Sequence, residues 1–103
     1  MSRETCYKFR LYVAGDTPNS LQARVNLGAL CRKYLNGRYK IEIVDVNRQP
    51  KRALLDGIYM TPALLKLAPS PVRMIVGTLS GAQSVLEGLG LSTTEDFPVA
   101  VGA

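Results

Sequence analysis

Lys8-Phe9-Arg10-Leu11-Tyr12-Val13-Ala14, followed at once by Gly15-Asp16-Thr17-Pro18-Asn19-Ser20, is the stretch from which the architecture can be read. Polar and apolar residues alternate through the first seven, and most favour extended backbone, so they predict a half-buried β-strand. The next six form a dense turn signal. Thr17 suits a helix N-cap, and Pro18 suits the first helical position, where its missing N–H has no bond to lose. Helical spacing then runs over residues 21–35. Leu21, Val25, Gly28, Cys31 and Leu35 mark one apolar stripe, widened by Leu27 and Tyr34, with Gln22, Arg24, Arg32 and Lys33 across from it. Gly28 within the stripe costs about 1 kcal/mol against Ala, and the expected compensation is close approach of another backbone. Asn36-Gly37 supplies a left-handed stop.

Outward from this opening, residues 39–46 alternate again through Tyr39, Ile41 and Ile43 and predict a second strand. A strand, a crossover helix and a strand make a βαβ unit, so the two strands should be parallel and the crossover right-handed. Asn47-Arg48-Gln49-Pro50 reads as a turn and helix start, residues 51–56 as a short helix, and Gly57 as its end. A third strand is entered through Thr61-Pro62 and runs to Leu67. Pro69-Ser70-Pro71 breaks it, residues 72–77 form a fourth strand, and Ser80-Gly81-Ala82-Gln83 opens a last helix toward Leu89. The order is α/β, βαβαββα. Specification weakens after Gln49. Leu alternates with Glu or Gly over residues 86–91, which fits a strand nearly as well as a helix, and the X-Pro bonds at Pro62, Pro69 and Pro71 can each be cis or trans.

The chain has 103 residues, 47% of them hydrophobic, which suits one domain over residues 1–103, ordered from about 7 to 91 with 92–103 as a mobile tail. No apolar run approaches the roughly 18 residues of a membrane span. Met1-Ser2-Arg3-Glu4-Thr5 lacks the apolar core of a signal peptide. Cys6 and Cys31 are neither a CxxC pair nor a disulfide framework, so both are expected as reduced thiols in a cytoplasmic protein, Cys31 as a small core residue. The formal charge of +5 is uneven: every Lys and Arg except Arg73 lies at or before Lys66, while Glu87, Glu95 and Asp96 lie late. Such a surface suits an acidic partner. The cations are dispersed and no aromatics interleave with them, so neither nucleic acid nor a membrane is the expected partner.

Histidine is absent. The usual general base, the Ser-His and Cys-His nucleophile pairs and the commonest metal ligand are therefore unavailable. Two separated cysteines do not make a structural zinc site, and Ala14-Gly15-Asp16-Thr17 lacks the second glycine and the lysine of a phosphate loop. Asp45 and Asp56 read as a strand end and a helix end. No catalytic, cofactor or metal residues are assigned. The βαβ start, with a later strand entered at Thr61-Pro62, resembles the thioredoxin fold. There a CxxC pair at the first helix N-terminus carries the redox chemistry. Asp16-Thr17-Pro18-Asn19 stands at that place here, without a thiol. A binding module is the expectation, and a thioredoxin-like thiol enzyme using Cys6 or Cys31 is the alternative from the enzyme class.

One family fits the residues. The run from Leu11 to Ser20 resembles the strand and turn that open KaiB proteins, with Asp16 where they commonly have Asn. Val44-Asp45-Val46, Pro50 and Thr61-Pro62-Ala63-Leu64 recur in the same order and spacing. The run from Pro71 to Ser80 resembles the family's PPVRRIIGDLS, and Val85-Leu86-Glu87-Gly88-Leu89 its closing segment. The similarity runs from about Tyr7 to Leu91. It implies a non-enzymatic clock protein that binds the N-terminal ring of the KaiC ATPase, captures KaiA and displaces the KaiB-like domain of the kinase SasA.

The resemblance further implies two packings of the second half. One is thioredoxin-like; the other is a ground state, βαββααβ, found as a homo-oligomer, dimer or tetramer. Two packings a few kcal/mol apart make a switch. Lys66 and Arg73 match basic positions used near KaiC, and the plain reading of both is an exposed charge at a strand edge. Pro62, Pro69, Pro71 and Gly88 match the switching segment. Gly90 stands where clock members carry Asp, Thr78 replaces the Asp of GDLS, Gly57 replaces a lysine, and Thr93 lies where an aromatic supports the tetramer. The acidic tail is reduced to Glu95-Asp96. These departures suit a second function within the same frame: a homologue acting in stress response or signalling with a KaiC-like partner and no full oscillator.

Overall fold

Both strand-like runs flanking the first helix form strands, and they pair side by side. A computed structural model describes residues 5–91, with β1 (Tyr7–Val13), α1 (Pro18–Tyr34), β2 (Tyr39–Asp45), α2 (Pro50–Leu55), β3 (Ala63–Ala68), β4 (Arg73–Val76) and α3 (Ala82–Gly88). The order is the βαβαββα expected above, and the helical choice holds for residues 82–88. The alternative order βαββααβ is not the one adopted. The proposed mobile tail, with Thr93, Glu95 and Asp96, lies outside the described residues.

The four strands form one sheet in the order β2-β1-β3-β4. β1 runs parallel to β2, while β1–β3 and β3–β4 are antiparallel. β1 is therefore central and buried on both faces rather than half-buried. Phe9, Leu11 and Val13 join Leu27, Leu30 and Cys31 of α1 and Val85 and Leu86 of α3 in the larger core. Tyr12 points the other way into a smaller core with Val44, Ala53, Ile58, Ala63 and Leu65. Two helices thus cover one face of the sheet, and six-residue α2 covers part of the other.

The buried stripe of α1 is rotated from the expected one. Ser20, Ala23, Leu27, Leu30 and Cys31 face the sheet, whereas Leu21 and Val25 are 44% and 63% exposed. Small residues select this face, because Ser20 and Ala23 let the first turns sit close on the strands. The Ser20 hydroxyl accepts a hydrogen bond from the Ala14 N–H at 3.0 Å. Gly28 consequently points away from the core. A Cβ there would meet only the Arg32 side chain, with Nη1 at 3.2 Å, so no foreign backbone approaches it. Thr17 occupies the N-cap position but its hydroxyl makes no capping bond. Asn36 and Gly37 both adopt the left-handed conformation that ends the helix, as their types predict.

Asp45 ends β2 and accepts hydrogen bonds from the backbone N–H groups of Gly15 and Asn47 at 3.2 and 2.9 Å. It thereby ties the β1–α1 turn to the end of its neighbour. The loop before α3 holds Leu79 at φ 65°, a conformation costly for a side chain of this size. Two contacts hold it there: the Leu79 side chain is buried, and Asn26 Nδ2 on α1 donates to the Thr78 carbonyl at 2.8 Å.

Candidate partner-binding surface

The β3–β4 ribbon and α3 gather most of the residues singled out from sequence. Lys66 and Arg73 are cross-strand partners, as are Leu64 and Ile75 one step along. α3 and its C-terminal turn lie over β4. A Cβ added at Gly88 would come within 2.8 Å of Ile75 Cδ1, and one added at Gly90 within 3.4 Å of Arg73 Nε. Pro62 leads into β3, and its carbonyl accepts from the Gly77 N–H at 2.8 Å, closing one end of the ribbon. Pro69 and Pro71 occupy the turn at the other end. The peptide bonds preceding Pro62, Pro69 and Pro71 are all cis. Lys66, Arg73, Gly88 and Gly90 are thus neighbours, and the three prolines frame them.

The expectation of an exposed edge charge is corrected for Lys66 and met for Arg73. β3 lies between β1 and β4, so Lys66 has Phe9 on one flank and Arg73 on the other. It is 2% exposed. No hydrogen-bond or ion-pair partner reaches it among the described residues. Burial, and then the Arg73 charge, push its pKa below the usual lysine value. No fully buried side-chain nitrogen lacks a partner among the described residues, so the ammonium tip keeps a path to water. Arg73, on edge strand β4, is exposed.

The other side of β4 is apolar and open. Val72, Met74 and Val76 are 59%, 42% and 46% exposed. Met74 pairs with Leu65 and Val76 with Ala63, so they lie on the α2 side of the sheet, past the reach of that short helix. Leu54 and Leu55 on α2, and Tyr59 and Met60 after it, are exposed too. The alternation of Val72, Met74 and Val76 was visible in the sequence. What was missing was the information that their face would have no helix above it.

A polar network, unforeseen from sequence, fastens α2 to the sheet. Arg10 donates to Glu42 and to Asp56, each at 2.9 Å, and Arg52 donates to Glu42 at 2.8 Å. The Tyr12 hydroxyl donates to Asp56 at 2.6 Å. Asp56 is more than a helix end: it is the acceptor on which β1 and α2 converge. Hydrogen bonds from Arg52 and Arg10 hold the Glu42 carboxyl down to about 2. The Tyr12 hydrogen bond, then those of Arg10, keep Asp56 below its ordinary value.

The thiols are differently placed. Cys31 is buried, and desolvation pushes it up to about 12, so almost none is thiolate at neutral pH. Cys6 is exposed. Position 18, in the first turn of α1, is a proline. Among the described residues no three His, Cys, Asp or Glu side chains cluster as metal ligands, and no helix is long and apolar enough to cross a membrane.

A family model described as the KaiB domain matches residues 10–91, from the middle of β1 to the turn after α3. The chain belongs to the KaiB family. Among its relatives, the circadian clock oscillator protein KaiB of Prochlorococcus marinus (strain MIT 9312) is 43% identical over 91 residues, 88% of this chain and 87% of that one. The protein of the same name from Thermostichus vulcanus is 45% identical over 85 residues, 82% and 79% of the two chains. Solved structures with the same fold include the N-terminal domain of Synechococcus elongatus SasA, at a TM-score of 0.68 and 18% identity over 80% of this chain and 78% of that one. A chloroplastic thioredoxin z aligns at 0.67 and 22% identity over 86% and 79%. This KaiB-family chain therefore carries a thioredoxin-like frame, with Asp16-Thr17-Pro18-Asn19 where a redox member has its CxxC.

Proposed function

We propose that this KaiB-family chain is a non-enzymatic clock regulator that docks on the ring of a KaiC-type ATPase, modulates its phosphorylation cycle and opposes a KaiA-type activator. The observation that supports it most is the family match over residues 10–91, which spans the whole open surface of α2, β3, β4 and α3. An apolar edge bordered by cations is the chemistry of a protein interface rather than of a catalytic cleft. The likeness of fold to the SasA domain supports competition for one docking site. A cytoplasmic location accompanies this reading, as does a free protein that forms a dimer or tetramer. Lys66 and Arg73 act in docking, and Pro62, Pro69, Pro71, Gly88 and Gly90 belong to the segment that repacks. Purified chain mixed with a phosphomimetic KaiC-type ring should form a complex visible by native mass spectrometry within a day. No complex would refute the reading.

A second reading, a KaiB homologue in stress response or signalling that binds a KaiC-like ring without a rhythm, is favoured by Gly90 and Thr78, which depart from the clock pattern. Reconstitution with ring and activator separates the two. Sustained oscillation of ring phosphorylation supports the clock reading, and binding without oscillation supports the second.

A further inference from the structure

An amine is a nucleophile only once its proton has gone. A lysine reaches that state when an apolar setting and a second cation both disfavour its ammonium form. Lys66 has both. It is 2% exposed, Phe9 lies opposite it on β1, and Leu64, two residues earlier on the same face, belongs to the larger core. Arg73 is its cross-strand partner on β4. Burial and then the Arg73 charge lower its pKa. Its tip nevertheless keeps a path to water, so a small solute can reach it.

A buried lysine is ordinarily met by an acid. Here none of the described acids serves it. Glu42 and Asp56 hold Arg10, Arg52 and Tyr12 on the opposite face. Asp45 accepts from two backbone N–H groups, and Glu87 accepts from Gln83 at 3.1 Å. Asp16 follows the C-terminal end of β1, while Lys66 faces Phe9 near its start. Position 90, where the resemblance expects Asp, is glycine in this chain, although a Cβ there would stand 3.4 Å from Arg73 Nε. Two like charges thus face each other across the strands and repel. What the pair lacks is one fixed negative charge, and the amine can make its own.

We propose that Lys66 is a carbon dioxide site, where the Nζ amine takes up CO2 as a carbamate that Arg73 holds. The lone pair of the neutral Nζ attacks the CO2 carbon. An N–C bond forms, one C=O π pair moves onto oxygen, and the surplus proton on nitrogen passes to water. The balance is R–NH2 + CO2 → R–NH–COO⁻ + H⁺, with nothing oxidised or reduced. The charge at position 66 is reversed, and repulsion by Arg73 becomes a charge-assisted hydrogen bond. The site belongs to the free chain and does not depend on the docking reading above.

The test equilibrates the purified chain with carbon-13 bicarbonate and CO2 at pH 8 and follows the carbamate by NMR. Triethyloxonium then traps it as an ethyl ester, which peptide mass spectrometry locates. One saturable carbamate on Lys66 is expected. Lys66→Met should lose it, and Arg73→Gln should weaken the affinity for CO2 about tenfold, the loss of one charge-assisted hydrogen bond. Gly90→Asp seats a permanent acid beside Arg73 and should weaken it at least as much, whereas the neutral Gly90→Asn should leave it; both side chains tolerate a left-handed backbone. Because only the folded chain pairs Lys66 with Arg73, CO2 at matched pH should raise the thermal midpoint of wild type and not that of Lys66→Met. Adducts confined to the N-terminal amine or spread over exposed lysines, full occupancy in Arg73→Gln, or a wild-type midpoint indifferent to CO2 would each overturn the proposal.

Discussion

Replacing Lys66 by Met removes an ammonium from the middle of a sheet and leaves an unbranched side chain of similar length in its place. The four-carbon stem is already buried with the residue at 2% exposure, so little new apolar area is gained. The gain comes from the charge. A buried ion without a partner is costly, and even buried ion pairs can often be exchanged for apolar groups of similar volume with a neutral effect or a gain of about 1–4 kcal/mol. The tip of Lys66 still reaches water, which places the expected stabilisation at the low end, about 1 kcal/mol. For a domain of this size that raises the thermal midpoint by roughly 4–8 °C.

The pH dependence gives the cause. The folded pKa of Lys66 is lowered, so the penalty is full below that value and fades as pH rises toward the unfolded value near 10.5. The advantage of Lys66→Met should therefore be constant around neutrality and shrink in strongly alkaline buffer. Calorimetry at several pH values measures both effects. A variant less stable than wild type at pH 7 would refute the reasoning, because it would mean that the ammonium makes a stabilising contact. A gain that grew with pH would refute it as well.

Tyr12→Phe removes the 2.6 Å donor to Asp56 and should cost about 1.5–3 kcal/mol in urea unfolding, the range of hydrogen bonds to charged groups. Acid should act through the same network. Glu42, lowered from 4.5 to about 2, contributes stability that is full above 4.5 and lost as pH falls toward 2, so Glu42→Gln should flatten the acid limb of a stability-against-pH curve. Gly88→Ala should change stability by less than about 1 kcal/mol, because the helix-propensity gain is offset by displacement of the Ile75 δ-methyl 2.8 Å away. In an Ile75→Val background the same change should stabilise, and a double-mutant cycle reads the coupling. Iodoacetamide at pH 8 should label Cys6 in the folded chain and Cys31 only on unfolding, as mass spectrometry would report.

Element types and their order were legible because periodicity and turn chemistry agreed. Gly15-Asp16-Thr17-Pro18 and Asn36-Gly37 bracket α1, and their backbone requirements are local. The buried face of α1 was not legible. Bulky Leu21 and Val25 competed with small Ser20 and Ala23, and only a sheet at close range decides in favour of the small pair. Lys66 misled for a related reason: its strand could be placed, but not its rank in the sheet, and an edge lysine and a central one have the same neighbours in sequence. The Arg10–Glu42–Asp56 network joins residues up to 46 positions apart, a distance no local pattern spans. The candidate docking residues came from family resemblance, and their clustering only from the pairing of β3 with β4.

β1 draws its inter-strand hydrogen bonds from two sources, β2 on one side and β3 on the other. Only the first belongs to the well-specified half of the chain. Any rearrangement that lifts β3 away strips residues 8–12 of their antiparallel partner and leaves a row of open N–H and C=O groups, an adhesive border for another copy. Repacking and self-association then become one equilibrium. Protein concentration would act on it as an effector does, by mass action, and dilution alone would return the solitary form.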